Sequence, residues 1–245
     1  MREFLFFFIL YIFFSCSTKK ESENVVLGSR IALDCMLTSP IGDIPENIYS
    51  VGSIIPTEKY PPFTKKLDVC GITLIARDEI SNNFMKNVGN TISEMFSITT
   101  DTDTDMQRQV IESLYRYNTV IPLFYGEDWN ISYSDEPSWD QTRTDNSLCD
   151  IIMEDIPNQV MEVVEHILHH VTDVGLHYVL PDKWGLSGES DLFRQTNSAI
   201  ISGDYNIRQY SDIDEVDVRN RVILQEYAYW IIYTAWDLRQ KYGPS

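Results

Sequence analysis

Hydrophobic and polar positions divide this chain into an apolar terminal run, a mixed first half and a mostly helical second half. Ile31-Ala32-Leu33 with Cys35-Met36 predicts a short strand, and the five prolines between Ser39 and Pro62 predict loop with one short strand at Ile54-Ile55. Residues 67–76, LDVCGITLIA, are apolar, rich in β-branched side chains and bounded by charge, which predicts one buried strand. Ile80, Phe84, Val88, Ile92 and Met95 recur every three to four residues opposite Asn82, Asn83, Lys86 and Asn90, which predicts a helix. A second helix is expected from about residue 106 to 117, on Val110, Ile111, Leu114 and Tyr115. Residues 120–125 read as a strand, and Pro122, which brings no ladder donor, predicts an edge position.

Residues 126–147 make a long acidic loop carrying Trp129, Tyr133 and Trp139, either a lid or a loop whose aromatics fold back on the domain. Val160, Val163, Val164, Ile167, Leu168 and Val171 predict a helix that has Pro157 in its first turn and stops at Gly175. A short strand at His177–Leu180, a turn at Pro181–Gly185 and a helix over 191–201 follow. The acidic stretch 203–217, with Tyr205 and Tyr210, crosses the front of the domain. The last helix, about 216–242, is apolar nearly all round at Val222, Ile223, Tyr227, Trp230 and Ile231, so it is expected to be buried, with Gly243-Pro244 as its stop.

The N-terminus changes the picture from a bare domain to an exported one. Arg2 precedes FLFFFILYIFF, Phe4 to Phe14, too short to span the bilayer but suited to a signal-peptide core. Ser15-Cys16-Ser17 follows. This pattern resembles a bacterial lipoprotein signal, which implies lipidation of Cys16, removal of the residues before it, a tether over 17–27 and a single domain over 28–245. The expected location is the cell envelope, at the outer membrane or in the periplasm, with ordinary secretion as the alternative. The membrane is then a partner through the lipid. Departures from the resemblance are Phe13 and Phe14, where a Leu and a small residue are preferred, and Glu3 in the basic region.

Charge narrows the partners. With 37 acidic against 19 basic residues the net charge is −18, which speaks against a nucleic-acid binder and fits cationic partners, metal ions or simple solubility, with a protein or peptide ligand left open. Beyond Cys16, the thiols Cys35, Cys70 and Cys149 allow one disulfide at most and read first as buried thiols, and with no CxxC spacing they do not build a zinc site. The alternate aspartates of 101–105 lack the glycine and distal glutamate of a calcium loop, and read better as a helix cap.

The densest chemistry lies in Glu162–His170, which gathers two carboxylates and three of the four histidines. Three i,i+4 registers compete there. His166 and His170 can hold one metal. Glu162 and His166 can do so with Glu165 as base, and His169 pairs with Asp173. Glu226 sits in the apolar last helix and needs a partner, either a metal or an arginine such as Arg194 or Arg221.

The order strand, helix, strands, paired-His helix and late Glu helix resembles the zincin-like metallopeptidases, in the gluzincin arrangement. The resemblance implies an α+β fold with a small mixed sheet packed against several helices. It implies zinc held by His166, His170 and Glu226, with Tyr205 or Tyr210 as oxyanion helpers. Ile167 stands where the family places its general base, so the implied protein is a divergent or inactive relative. The alternative is a non-enzymatic lipoprotein that binds a ligand or protein partner and whose histidines are structural.

Overall fold

The computed structural model describes residues 27–127 and 131–238; the signal segment, Cys16, tether residues 17–26, Trp129 and the Gly243-Pro244 stop lie outside them. The fold is α+β. Strands β1 (Ile55–Pro56), β2 (Lys65–Val69), β3 (Ile72–Ala76), β4 (Val120–Tyr125) and β5 (Ile152–Glu154) form one mixed sheet in sequential order. β1, β2 and β3 pair antiparallel, while β4 joins β3 and β5 in parallel. The parallel joints require crossovers, and helices supply them. α1 (Asn82–Met95) and α2 (Thr104–Arg116) connect β3 to β4, and α3 (Glu136–Thr144) connects β4 to β5.

Alternate strand residues enter two cores, as the pleat requires. Leu67, Leu74, Ile121 and Leu123 face the main core, which the helices fill. Ile75, Val120 and Phe124 face a smaller core closed by Tyr60 and Phe63. Trp139 of α3 packs on Phe63 and Phe124 with ring centroids 5.7 and 6.1 Å apart, so this aromatic of the acidic loop does fold back; Tyr133 stays exposed. Both faces of the sheet are covered, which explains the continuous apolar strand sequences.

The second half is a helical layer. α4 (Gln159–His170) runs without a break into a π-helical stretch, Val171–Leu176, then α5 (His177–Val179) and α6 (Pro181–Trp184). After α7 (Asp191–Ser202), α8 (Val216–Ala235) returns along α4. No helix among the described residues is long and apolar enough to cross a membrane.

Several local expectations are corrected. Residues 67–76 are a hairpin rather than one strand: Cys70 and Gly71 both take positive φ and turn the chain. Ile31–Met36 forms turns, not a strand. β4 is internal, with β5 at the edge. Pro122 is tolerated because Val120 N already donates to Ser147 O on that side and pairing with β5 begins only at Leu123, so the missing donor faces a gap in the ladder. Gly175 does not end its helix. It lies in the π stretch, where an added Cβ would come within 2.9 Å of Val110 Cγ1, so its smallness serves close packing on α2. His177–Val179 is therefore helix rather than strand, and the expected turn after it is α6.

The cap expected from the alternate-aspartate run holds: Asp103 caps α2 by accepting from Met106 N at 3.0 Å, and Ser81 caps α1 in the same way. The sequence left the cysteine pairing open and favoured buried thiols; Cys70 is one, whereas Cys35 and Cys149 form a disulfide.

Gly71 has φ +78°, and a Cβ there would lie 2.3 Å from Ile111 O, backbone that cannot swing aside. Gly71→Ala is therefore expected to cost about 1–3 kcal/mol. Urea unfolding of the two proteins measures it, and an unchanged midpoint would contradict this reading of the hairpin.

Candidate metal centre

On α4, Val163, Val164, Ile167 and Leu168 are buried and drive the helix onto the fold. The opposite side carries Glu162, Glu165, His166 and His169, which at helical spacing cover about 100° of arc. α8 packs along one boundary of this arc, where Val164 and Leu168 meet Tyr229, Ile232 and Tyr233. Glu165 and His169 follow Val164 and Leu168 by one residue, so they are the α4 groups carried up to α8. Glu226, three residues before Tyr229, meets them there.

The result is a three-residue group. Ligand atoms of Glu165, His169 and Glu226 all lie within 4.8 Å of one another, and His169 Nε2 is 3.9 Å from Glu226 Oε1. The imidazole is oriented from behind. His169 Nδ1–H donates to Asp150 Oδ2 at 2.7 Å, leaving Nε2 to face the carboxylates. Nε2 is buried and has no hydrogen-bond partner. Buried polar atoms are seldom left so. A metal that accepts the Nε2 lone pair satisfies it, in the carboxylate–histidine–metal pattern common among metal sites.

Asp150 is itself held in place. Its neighbour Cys149 is bonded to Cys35, Gln225 Nε2 of α8 donates to its Oδ2 at 3.3 Å, and Ile151 N donates to its Oδ1 at 2.8 Å. Gln225 in turn accepts from Arg221 Nη1 at 3.0 Å. Asp150 is thus held in part from α8, the helix that also presents Glu226.

The electrostatics follow from burial and from crowding of carboxylates. Burial, reinforced by the Glu226 charge, pushes Glu165 up to about 7, and burial also raises Glu226. Burial pushes Asp150 up, but the His169 hydrogen bond and the neighbouring imidazoles outweigh it and hold the carboxyl well below its usual range. Burial opposes protonation of His169, yet Asp150, then Glu226 and Asp173, bring it up to about 9. Asp173, fully buried in the π stretch, is raised to about 7 by burial, with Arg221 offsetting part of the rise.

The metal set expected from the sequence was His166, His170 and Glu226. The structure brings Glu226 to Glu165 and His169 instead, which moves the helix ligands one residue toward the N-terminus. His170 lies on the core side of α4, fully buried; its Nδ1–H donates to His166 O at 2.8 Å, and burial lowers it to about 4. His166 stays on the site's side, with Nε2 3.5 Å from Glu162 Oε2 and Nδ1 bonded to Ile151 O. Neither suggested arginine serves Glu226: Arg194 pairs with Asp191, and Arg221 reaches Gln225 and, at 3.8 Å, Asp34.

Tyr205 and Tyr210, the expected oxyanion helpers, are engaged with each other, and Tyr205 also donates to Ile223 O. Their hydroxyls are 3.1 Å apart, and the Glu226 charge adds to the burial that raises both. Sequence reasoning missed Tyr229. Its ring meets His169 edge-on at 5.9 Å, its hydroxyl is buried without a partner, and burial followed by the Glu165 charge raises it. It also missed Asp150, whose place beside a cysteine 114 residues from its partner gave no signal of a role.

No protein-family model matches the chain, and neither curated proteins nor solved structures show significant similarity to it.

These shifts set a pH dependence for the metal-free protein. Glu165 and Asp173 have folded values near 7, above their unfolded values of about 4. Their contributions are present below pH ~4 and lost as pH rises through 7. His169, raised from about 6.5 in the unfolded chain, contributes below that pH and loses its contribution as pH passes 9. Urea midpoints in the presence of chelator should therefore fall from pH 5.5 to about 9, and less steeply in Glu165→Gln. A midpoint that rises over this range would contradict the assigned burial.

Proposed function

We propose that this protein is a membrane-anchored or secreted metalloprotein, with zinc the first candidate cation, held by Glu165, His169 and Glu226. The observation that carries the reading is the buried, unpartnered Nε2 of His169, oriented by Asp150 and facing two carboxylates. The donor set suits a borderline divalent ion: zinc accepts one imidazole and two carboxylates, and three protein ligands leave a position open. The carboxylates are partly open to solvent, with Glu226 at 20% exposure against 2% for His169, so an ion can enter from the surface.

Within this reading the domain is a divergent, zincin-like relative of the metallopeptidases, placed at the cell envelope by a lipid on Cys16. In the zincin helix the residue after the first ligand is a carboxylate that acts as base. With Glu165 as first ligand that position holds His166 rather than Ile167, and the imidazole is already engaged by Ile151 O. Peptide cleavage is accordingly not the expected activity. The chemistry such an ion supplies is the polarisation of an oxygen bound to it. In this chain Glu165, His169 and Glu226 would bind it, Asp150 would orient His169, and Tyr229 would offer a hydroxyl beside it.

Binding of a separate ligand without catalysis is the second reading. It is favoured by an open cavity of about 670 Å³ walled by Tyr205, Tyr227 and Trp230, the last lying one turn beyond Glu226. Ligand retention that ignores chelator but is lost in Trp230→Ala would select it over the metal reading.

Elemental analysis and zinc titration of the purified full chain test the metal. Stoichiometric zinc is expected, lost in His169→Ala and in Glu226→Ala but retained in His170→Gln. Asp150→Asn should weaken affinity by about 10–100-fold. Affinity should rise from pH 6 to 8, because binding displaces protons held by Glu165 near 7 and His169 near 9. A chain that takes up no metal, and whose stability ignores chelator, would overturn the reading. A peptide-library digest should show no chelator-sensitive cleavage.

A further inference from the structure

One face of α8 is left partly open. Tyr227, Trp230, Ile231 and Thr234 follow one another at helical spacing and share that face. A stripe of this kind ordinarily marks a buried surface. Here Trp230 is 45% exposed, and all four residues line the cavity of about 670 Å³. The remaining lining comes from the end of α7 and the segment after it. Gly203, at φ +83°, ends α7 and turns the chain, so that Asp204 N and Tyr205 N both donate to Ala199 O. This turn sets Asp204, Tyr205 and Asn206 at the cavity, with Gln209 further along.

The rings are held in position before any ligand arrives. Tyr205 meets Tyr227 with centroids 5.1 Å apart and planes tilted by 51°, and its hydroxyl is tied to Tyr210 Oη at 3.1 Å and Ile223 O at 3.4 Å. Trp230 packs edge-on against Tyr233 at 5.6 Å. Such preorganisation lowers the entropy cost of binding.

The polar groups then select the ligand. Asp204 Oδ2 accepts from Ser202 Oγ at 2.7 Å, Asn206 Oδ1 accepts from Arg208 N at 3.1 Å, and Gln209 Nε2 donates to Tyr210 Oη at 2.6 Å. Among the described residues this leaves Asp204 Oδ1 and Gln209 Oε1 as free acceptors and Asn206 Nδ2 as a free donor. No basic side chain lines the cavity among the described residues, and the chain carries a net charge of −18, so an anion finds neither partner nor favourable field. A cation finds one carboxylate, already engaged by Ser202, and a free amide donor that opposes it. A wholly apolar ligand strands all three polar groups. Hydroxyls, each both donor and acceptor, match the set. Sugar rings carry hydroxyls at their edges and C–H bonds on a face that lies flat on an aromatic ring.

We propose that this cavity binds a neutral carbohydrate, its rings stacked on Trp230 and Tyr227 and its hydroxyls paired with Asp204, Asn206 and Gln209. The inference rests on the ligand-binding reading of this cavity, whose ligand class it names, and does not depend on the metal. The volume lies within the range of about 300–1,000 Å³ usual for ligand cavities.

Calorimetric and tryptophan-fluorescence titrations of the purified full chain test it, with cellohexaose, maltohexaose and chitohexaose as sugars and choline and octanoate as charged probes. At least one sugar should bind, equally well with and without chelator. Trp230→Ala should lower its affinity about tenfold or more, and Trp230→Phe should recover most of it. Asn206→Ala should weaken binding several-fold. Unfolding temperatures matched to wild type would show that the variants fold. Choline or octanoate bound in place of every sugar, and lost in Trp230→Ala, would overturn the carbohydrate class and leave the ligand-binding reading standing. No binding of any probe would overturn both. Sugar binding untouched by Trp230→Ala would overturn its placement in this cavity, and sugar binding abolished by chelator would overturn its independence of the metal.

Discussion

The hydrogen bond from His169 to Asp150 is the contact on which the site depends. It lies between a helix and the segment leading into an edge strand, and it decides which imidazole nitrogen faces α8. With it, a buried ring presents an unpartnered nitrogen to two carboxylates. His170 also has a buried, unpartnered Nε2, but it faces the core and meets no carboxylate group. Burying so polar a group without a partner is costly, commonly about 1–3 kcal/mol. The group of Glu165, His169 and Glu226 could hold an ion there.

The rest of the architecture holds that contact in place. The Cys35–Cys149 bond fixes the residue before Asp150 to the N-terminal segment, 114 residues away in sequence. The parallel pairing of β4 with β5 then sets where the chain enters the sheet after Asp150. From the other side, α8 brings Gln225 to Asp150 and Glu226 to His169 from adjacent positions. The seam of Val164 and Leu168 against Tyr229 and Ile232 sets the rotation of α8 about α4. A register shift along this seam would move Glu226 away from Glu165 and His169 while leaving the apolar contacts chemically similar. The polar groups therefore supply the specificity that the hydrophobic seam lacks.

Much of the fold was legible because periodicity reports burial. The helices at Asn82–Met95, Thr104–Arg116 and Asp191–Ser202 follow directly from their apolar spacing and caps. What failed were places where a single residue type carried a meaning that packing overrode. Gly175 reads as a helix stop but is a contact with Val110. Pro122 reads as an edge but faces a gap in the ladder. Cys70-Gly71 reads as strand interior but is a turn. The site was half legible for the same reason. The helix and Glu226 stood out as chemistry, and the correct register did not, because i,i+4 spacing fits several pairs. The choice among them is made by which boundary of α4 meets α8, a tertiary fact. Asp150 was invisible, since its role arises only when the disulfide and β5 bring it under His169.

The most direct test of the central claim is a zinc-soaked crystal measured at the zinc absorption edge. An anomalous peak about 2.0–2.2 Å from His169 Nε2 and from carboxylate oxygens of Glu165 and Glu226 is the predicted result. A peak between His166 and His170, or no peak in the space between α4 and α8 at saturating zinc, would contradict it.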